Sequence, residues 1–169
     1  MAAVNHPSFG SHPDHILHAI RSRHEKVAMA AVQHPRFDSS LDHMKWALHS
    51  ITPHEKVRMA AMNHPNFGSK THHIPAALRS PHEDVAMAGV NHPSFGSDLS
   101  HIPLALRSRH KEVAMAVVQH PEFGSRRYHF SHALDSPHKE VAMAAMKHPN
   151  LSRLPESIKD VFAAKHNQI

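Results

Sequence analysis

Residues 82–109 read HEDVAMAGVNHPSFGSDLSHIPLALRSR, and this stretch decides the fold. Its first half opens, two residues upstream, with Ser80-Pro81-His82-Glu83. That is the grammar of a helix start: a Ser cap, a Pro at the first helical position and an acid three residues after the Ser. Thr52-Pro53-His54-Glu55 repeats it. The run Val85-Ala86-Met87-Ala88-Gly89-Val90 follows, with Val85, Ala88 and Gly89 on one helical face. The helix stops at His92-Pro93, because Pro disfavours the α conformation in the residue before it. The expected length is about eleven residues, or roughly 16 Å, which is marginal without stacked neighbours. Phe95-Gly96-Ser97 then makes a turn, Phe inward and Gly supplying permissive backbone. The second segment is shorter. Pro75 and Pro103 fit only the first turn of a short helix, so residues 103–107 read as one α or 3-10 turn.

The unit recurs throughout the chain. His-Pro pairs stand at His6-Pro7, His34-Pro35, His64-Pro65, His92-Pro93, His120-Pro121 and His148-Pro149, with spacings of 28, 30, 28, 28 and 28 residues. Ile51 and Thr52 account for the longer spacing, and Met1-Ala2-Ala3-Val4 aligns with Met29-Ala30-Ala31-Val32. Ser157-Ile158-Lys159-Asp160-Val161-Phe162 takes the place of HIPLAL in a degenerate last unit. The units are read as 1–23 (truncated), 24–53, 54–81, 82–109, 110–137 and a capping unit 138–169, together one domain spanning 1–169. Ala77-Leu78, Ala105-Leu106 and Ala133-Leu134 recur as the core face of the second helix. The expected fold is all-α: a right-handed α-solenoid of about six 28-residue two-helix repeats.

The pattern Val-x-x-Ala-x-x-x-His-Pro, as in Val57, Ala60, His64 and Pro65, resembles the leucine-rich repeat variant, a group similar in style to HEAT repeats. The resemblance covers nearly all of 1–162. It implies one α-helix alternating with one 3-10 or short helix in a right-handed superhelix, and a binding-scaffold role rather than an enzyme. The units here are longer than that family's. The family's usual Arg after Val occurs once, as Arg58.

Composition narrows function further. The 169 residues contain no Cys, which excludes disulfides, thiolate nucleophiles and zinc-thiolate or iron–sulfur sites. No apolar run reaches the roughly 18 residues of a membrane span, and MAAVNHPSFG lacks the form of a signal peptide. The expected location is therefore cytoplasmic, with no membrane partner and no cofactor. The net charge of +5 is evenly spread, so neither end is a charged tail. Histidine is the anomaly: 22 residues, whose full protonation takes the charge to +27.

Sixteen histidines form three ladders at repeat positions. One is the His-Pro set. A second is His24, His54, His82, His110 and His138, in the first turn of each first helix. The third is His15, His43, His73, His101 and His129, opening each second helix. Recurrence favours structural duty, since each copy solves the same local problem: carbonyl capping in a last turn, or a backbone bond in a first one. Metal ligands must converge to about 2.1 Å from one ion, whereas stacked helices lie about 10 Å apart. Spacing alone therefore assigns no residue to a metal, although the adjacent His72-His73 and the closely spaced His12, His15 and His18 offer loose binding.

Two patches stand out from the repeat background. Arg21, Arg23, Arg79, Arg107, Arg109, His110 and Lys111 form a candidate anion or nucleic-acid edge around the helix junctions. Glu25, Glu55 and Glu83 share those first turns and weaken it. The irregular Trp46 and Arg126-Arg127-Tyr128 are a candidate partner patch, Trp and Arg being frequent interface anchors. Catalytic residues are not evident: no phosphate-binding Gly loop, Ser-His-Asp order or carboxylate pair departs from the repeat. The expected function is a non-catalytic scaffold that binds a protein partner or self-associates. Nucleic-acid backbone binding and histidine-based metal or pH sensing are the alternatives.

Overall fold

The computed structural model describes residues 6, 8–39, 42–48, 54–157, 159–160 and 164. Among them the chain is all-helical, with ten α-helices, one 3-10 helix and no strand. Met1-Ala2-Ala3-Val4, the Ile51-Thr52 insertion with Pro53, and Ile158 with 161–163 lie outside the described residues. The chain divides into two compact units, Met1–Ala88 and Gly89–Ile169.

In the first unit, α1 (Pro13–Ile20), α3 (His43–Leu48) and α5 (His73–Leu78) form one row. The other row holds α2 (Glu25–Val32) and α4 (Glu55–Met62), and α6 (Glu83–Asn91) follows in the chain. Helix α1 packs on α2 and α3, α4 packs on α2 and α3, and α3 packs on α5. The second unit has the same arrangement. There α7 (His101–Leu106) packs on α8 (Lys111–Val118) and α9 (Arg127–Leu134), and α10 (Lys139–Met146) packs on α8 and α9. A 3-10 helix, Pro149–Arg153, follows α10.

The core follows from the repeat. Val57, Ala61, Val85, Ala86, Val113, Ala114, Val117, Val141 and Ala142 are buried from the first helices. The Ala-Leu pairs at 47–48, 77–78, 105–106 and 133–134 are buried from the second. Phe37, Phe67, Phe95 and Phe123 fill the space at the turns, as their position between the helices requires. Small residues on the first helices let neighbours approach closely, while Phe supplies the bulk they lack.

Two expectations are corrected in detail. The first helices span eight or nine residues rather than eleven. Their N-caps are His24, His54, His110 and His138, in extended conformation, and not the upstream Ser. The Ser hydroxyl serves one turn earlier. Ser80, Ser108 and Ser136 each accept the N–H of the His two residues on, at 3.2, 3.2 and 3.4 Å. Pro81 and Pro137 have no N–H to offer, but Arg109 stands between Ser108 and His110, so the same bond forms without a proline. The second helices are also slightly longer than one turn, since α5 and α7 begin at the His before Ile-Pro.

Candidate functional site

The three histidine ladders have three distinct geometries. In the His-Pro ladder, Nδ1 accepts the backbone N–H of the second residue after it, at 3.1–3.2 Å, in all six copies. The ring therefore caps the turn that follows rather than the carbonyls of the helix before it. Proline explains this: with no N–H at the next position, the first free amide of the turn lies one residue further on. The same rings meet the Phe of the preceding repeat edge-on, at 4.9–5.4 Å between centroids for His34, His64, His120 and His148. The third ladder stacks on the Phe of its own repeat, at 5.9–6.5 Å in all five copies. Phe9, Phe37, Phe95 and Phe123 are thus each covered by imidazole on a face and on an edge. In the N-cap ladder, Nε2–H donates to the carbonyl of the Ser two residues before the preceding ladder His, at 3.1 Å for His54 on Ser22 and 3.0 Å for His138 on Ser108.

His43, His73, His101 and His129 are buried. Nδ1 of His43, His101 and His129 accepts the main-chain N–H five residues earlier at 3.0–3.2 Å. Burial holds all four below the ordinary imidazole pKa; for His129, helped by the nearby Arg126 and His132 charges, it reaches about 4. These rings are neutral hydrogen-bonding parts of the fold at neutral pH.

The pattern breaks at His73. Neither ring nitrogen has a hydrogen-bond partner, although Nε2 lies 3.2 Å from the carboxylate of Asp38. Asp38 occupies the place that Gly10, Gly68, Gly96 and Gly124 hold in the other turns, and like them it has positive φ, 60°. Its side chain is fully buried. Oδ1 accepts the Met44 N–H at 3.2 Å, and Oδ2 takes Lys70 Nζ at 2.9 Å. Beside this pair, Asp42 and His72, which hold the same position in successive repeats, meet at 3.2 Å. The donor atoms of Asp42, His72 and His73 all lie within 4.8 Å of one another. Asp42 and His72 border a cavity of about 350 Å³ that Lys45, Leu48 and Arg79 also line. The helix-to-helix spacing that argued against ligand convergence does not apply here, because these donors sit at helix starts and on the loop before α3. Sequence reasoning offered the adjacent His72-His73 as loose metal binders but missed Asp42 and Asp38. The group's signal was available as the single replacement of the turn glycine by Asp38.

Comparison of the chain with family models, curated proteins and solved structures finds no match. The reading of function therefore rests on the molecule itself.

The arginine edge is spread along both units. Arg21, Arg79 and Arg107 are exposed C-caps of α1, α5 and α7. Arg23 and Arg109 are exposed in the following turns, His110 is the α8 N-cap and Lys111 begins that helix. Several of these charges are engaged locally. Arg107 Nη2 lies 3.4 Å from His132 Nδ1, and Lys111 Nζ lies 3.9 Å from Glu112 and 3.8 Å from Glu140. Lys56 likewise meets Glu25 at 3.5 Å.

Trp46 is half-buried on α3 with the Arg21 guanidinium 4.2 Å above its ring, joining one member of each predicted patch. Arg126, the N-cap of α9, and Tyr128 line a cavity of about 470 Å³ in the second unit, with Asp98 and Glu122 opposite. Arg127 is exposed at the first position of α9. A further row went unread in the sequence: the Met at the middle of each first helix. Met59 is 42% and Met143 38% exposed, while Met29, Met87 and Met115 are half-buried at the equivalent positions.

Proposed function

We propose that the chain is a non-catalytic α-helical repeat scaffold that binds a protein partner or a second copy of itself. In this reading it is a right-handed α-solenoid of about six repeats, akin to the leucine-rich repeat variant and HEAT style, working in the cytoplasm. Among the described residues no helix is long and apolar enough to cross a membrane. The observation that carries the reading is the methionine row. The exposed part of Met59 and Met143 gains nothing for folding, whereas a repeated, flexible apolar side chain on a helix surface suits a contact.

Sedimentation over a wide concentration range, at low and high salt, tests self-association; retention on an immobilised wild-type chain at high salt tests a partner. Met59→Lys with Met143→Lys is expected to weaken the association at least about tenfold, roughly 1.4 kcal/mol. Both sites are exposed, so stability should change by no more than about 0.5 kcal/mol. A chain that stays monomeric, and holds no protein that the double variant releases, overturns the reading.

The exposed arginine C-caps favour a second reading, contact with a nucleic-acid backbone. Its mark is tight binding of mixed-sequence DNA or RNA at low salt that collapses as salt rises and weakens in Arg107→Ala with Arg109→Ala. The absence of binding at low salt removes it.

A further inference from the structure

We propose that Asp42, His72 and His73 bind one divalent transition-metal ion, of the zinc and cobalt class, which ties two successive repeats together. The proposal does not depend on the scaffold reading. Two imidazoles and one carboxylate are the donor set that such ions favour, and three protein ligands leave room for water on the cavity side. The donor atoms already lie within 4.8 Å of one another, so small rotations bring them to one ion.

The second, independent observation is His73. Its side chain is 0% exposed, yet neither ring nitrogen has a hydrogen-bond partner, although Nδ1 of His43, His101 and His129 has one. A buried lone pair without a partner is costly, and a metal ion is a partner of the right chemistry. Asp38 explains why this ring differs. Its buried carboxylate stands 3.2 Å from Nε2 with no hydrogen bond formed, close enough to accept one that would orient a ligating imidazole and raise its basicity. An Asp replaces Gly in a left-handed turn at some cost in backbone strain, and orienting His73 is a return for it.

Charge is consistent with a cation. Asp38 and Asp42 face a single buried-side lysine, Lys70, which is committed to Asp38 by contacts of 2.9 Å to both its carboxylate and its main-chain carbonyl. Lys45 and Arg79 line the cavity as well, but both are solvent-exposed and their charges are screened. The site joins residues from the 24–53 repeat to residues from the 54–81 repeat, so an ion there acts as a clasp within the first unit.

The test uses the full chain without an affinity tag, stripped with chelator and titrated with Co²⁺ and Zn²⁺. The other histidines bind metal weakly, so the readout is one strong site per chain that survives gel filtration, with a visible Co²⁺ absorption band from protein ligands. Asp38→Gly, which restores the residue found in the other turns, is expected to weaken that site roughly 10–100-fold. His72→Ala and Asp42→Asn should weaken it further, while circular dichroism stays unchanged because both side chains are partly or largely exposed. His18→Ala, an exposed histidine on α1, should leave it intact. A wild-type chain with no strong site overturns the proposal. So does a strong site that persists in His72→Ala and Asp42→Asn, or one that His18→Ala removes equally.

Discussion

Gly124 shows how tightly single residues are held in this repeat. Its φ is +77°, and a Cβ built there would stand 2.8 Å from Asn150 Cβ, 3.1 Å from Asn150 Nδ2 and 3.2 Å from Phe130 Cζ. The obstruction is the stem of a neighbouring side chain and a buried ring, neither of which can swing aside. Asn150 is itself fixed, since its Nδ2 donates to the Phe123 carbonyl at 3.1 Å. Gly124→Ala is therefore expected to lose about 2–3 kcal/mol, from the left-handed backbone together with the clash. Chemical denaturation measures this directly, and a loss below about 0.5 kcal/mol would mean that the turn relaxes freely. Asp38 tolerates the same backbone region because a short polar side chain is the least penalised there after glycine, and because its carboxylate gains three partners.

At the scale of the element, the His-Pro turn is a cap built from an imidazole. His120 Nδ1 accepts the Glu122 N–H at 3.2 Å, its own carbonyl accepts Phe123 N–H at 2.9 Å, and its ring meets Phe95 of the preceding repeat at 4.9 Å. His120→Ala removes the cap and the ring contact together and should cost about 2 kcal/mol. His120→Asn keeps a capping acceptor and should recover roughly half of that; equal losses for the two variants would show that capping contributes nothing. This element also marks where the sequence was legible. The repeat length, the two-helix grammar, the inward Phe and the glycine turn all recur, so four to six copies vouch for each. The N-cap was misread because Ser-Pro before an acid is the usual start of a helix, and only the buried Ser hydroxyls show that it serves the turn instead. The Asp38, Asp42, His72 and His73 group was hidden for a different reason. Its donors come from two repeats about one period apart, and no local spacing displays a contact made between neighbours.

For the whole molecule, histidine burial makes stability a function of pH. Burial lowers the pKa of His101, His120, His129 and His148 in the second unit, with His129 falling from 6.5 to about 4. The unfolded chain regains ordinary imidazoles, so between those values it binds more protons than the folded one. Stability is then complete above pH about 6.5 and declines as pH falls towards 4, below which both states are protonated and the decline levels off. His129 alone is worth roughly 3 kcal/mol on this basis, and the others add to it. The capping role strengthens the effect, since a protonated Nδ1 no longer accepts the turn amide. Repulsion acts in the same direction, because full protonation of 22 histidines takes the net charge from +5 to +27. Denaturation midpoints at pH 7.5, 6 and 5 should therefore fall steeply, and added salt should restore only the part due to repulsion. His129→Gln, uncharged at every pH, is expected to start less stable at pH 7.5 but to lose less on acidification. A midpoint that is flat between pH 7.5 and 5 would mean that these rings are solvated as protonated groups, contrary to their burial against phenylalanine.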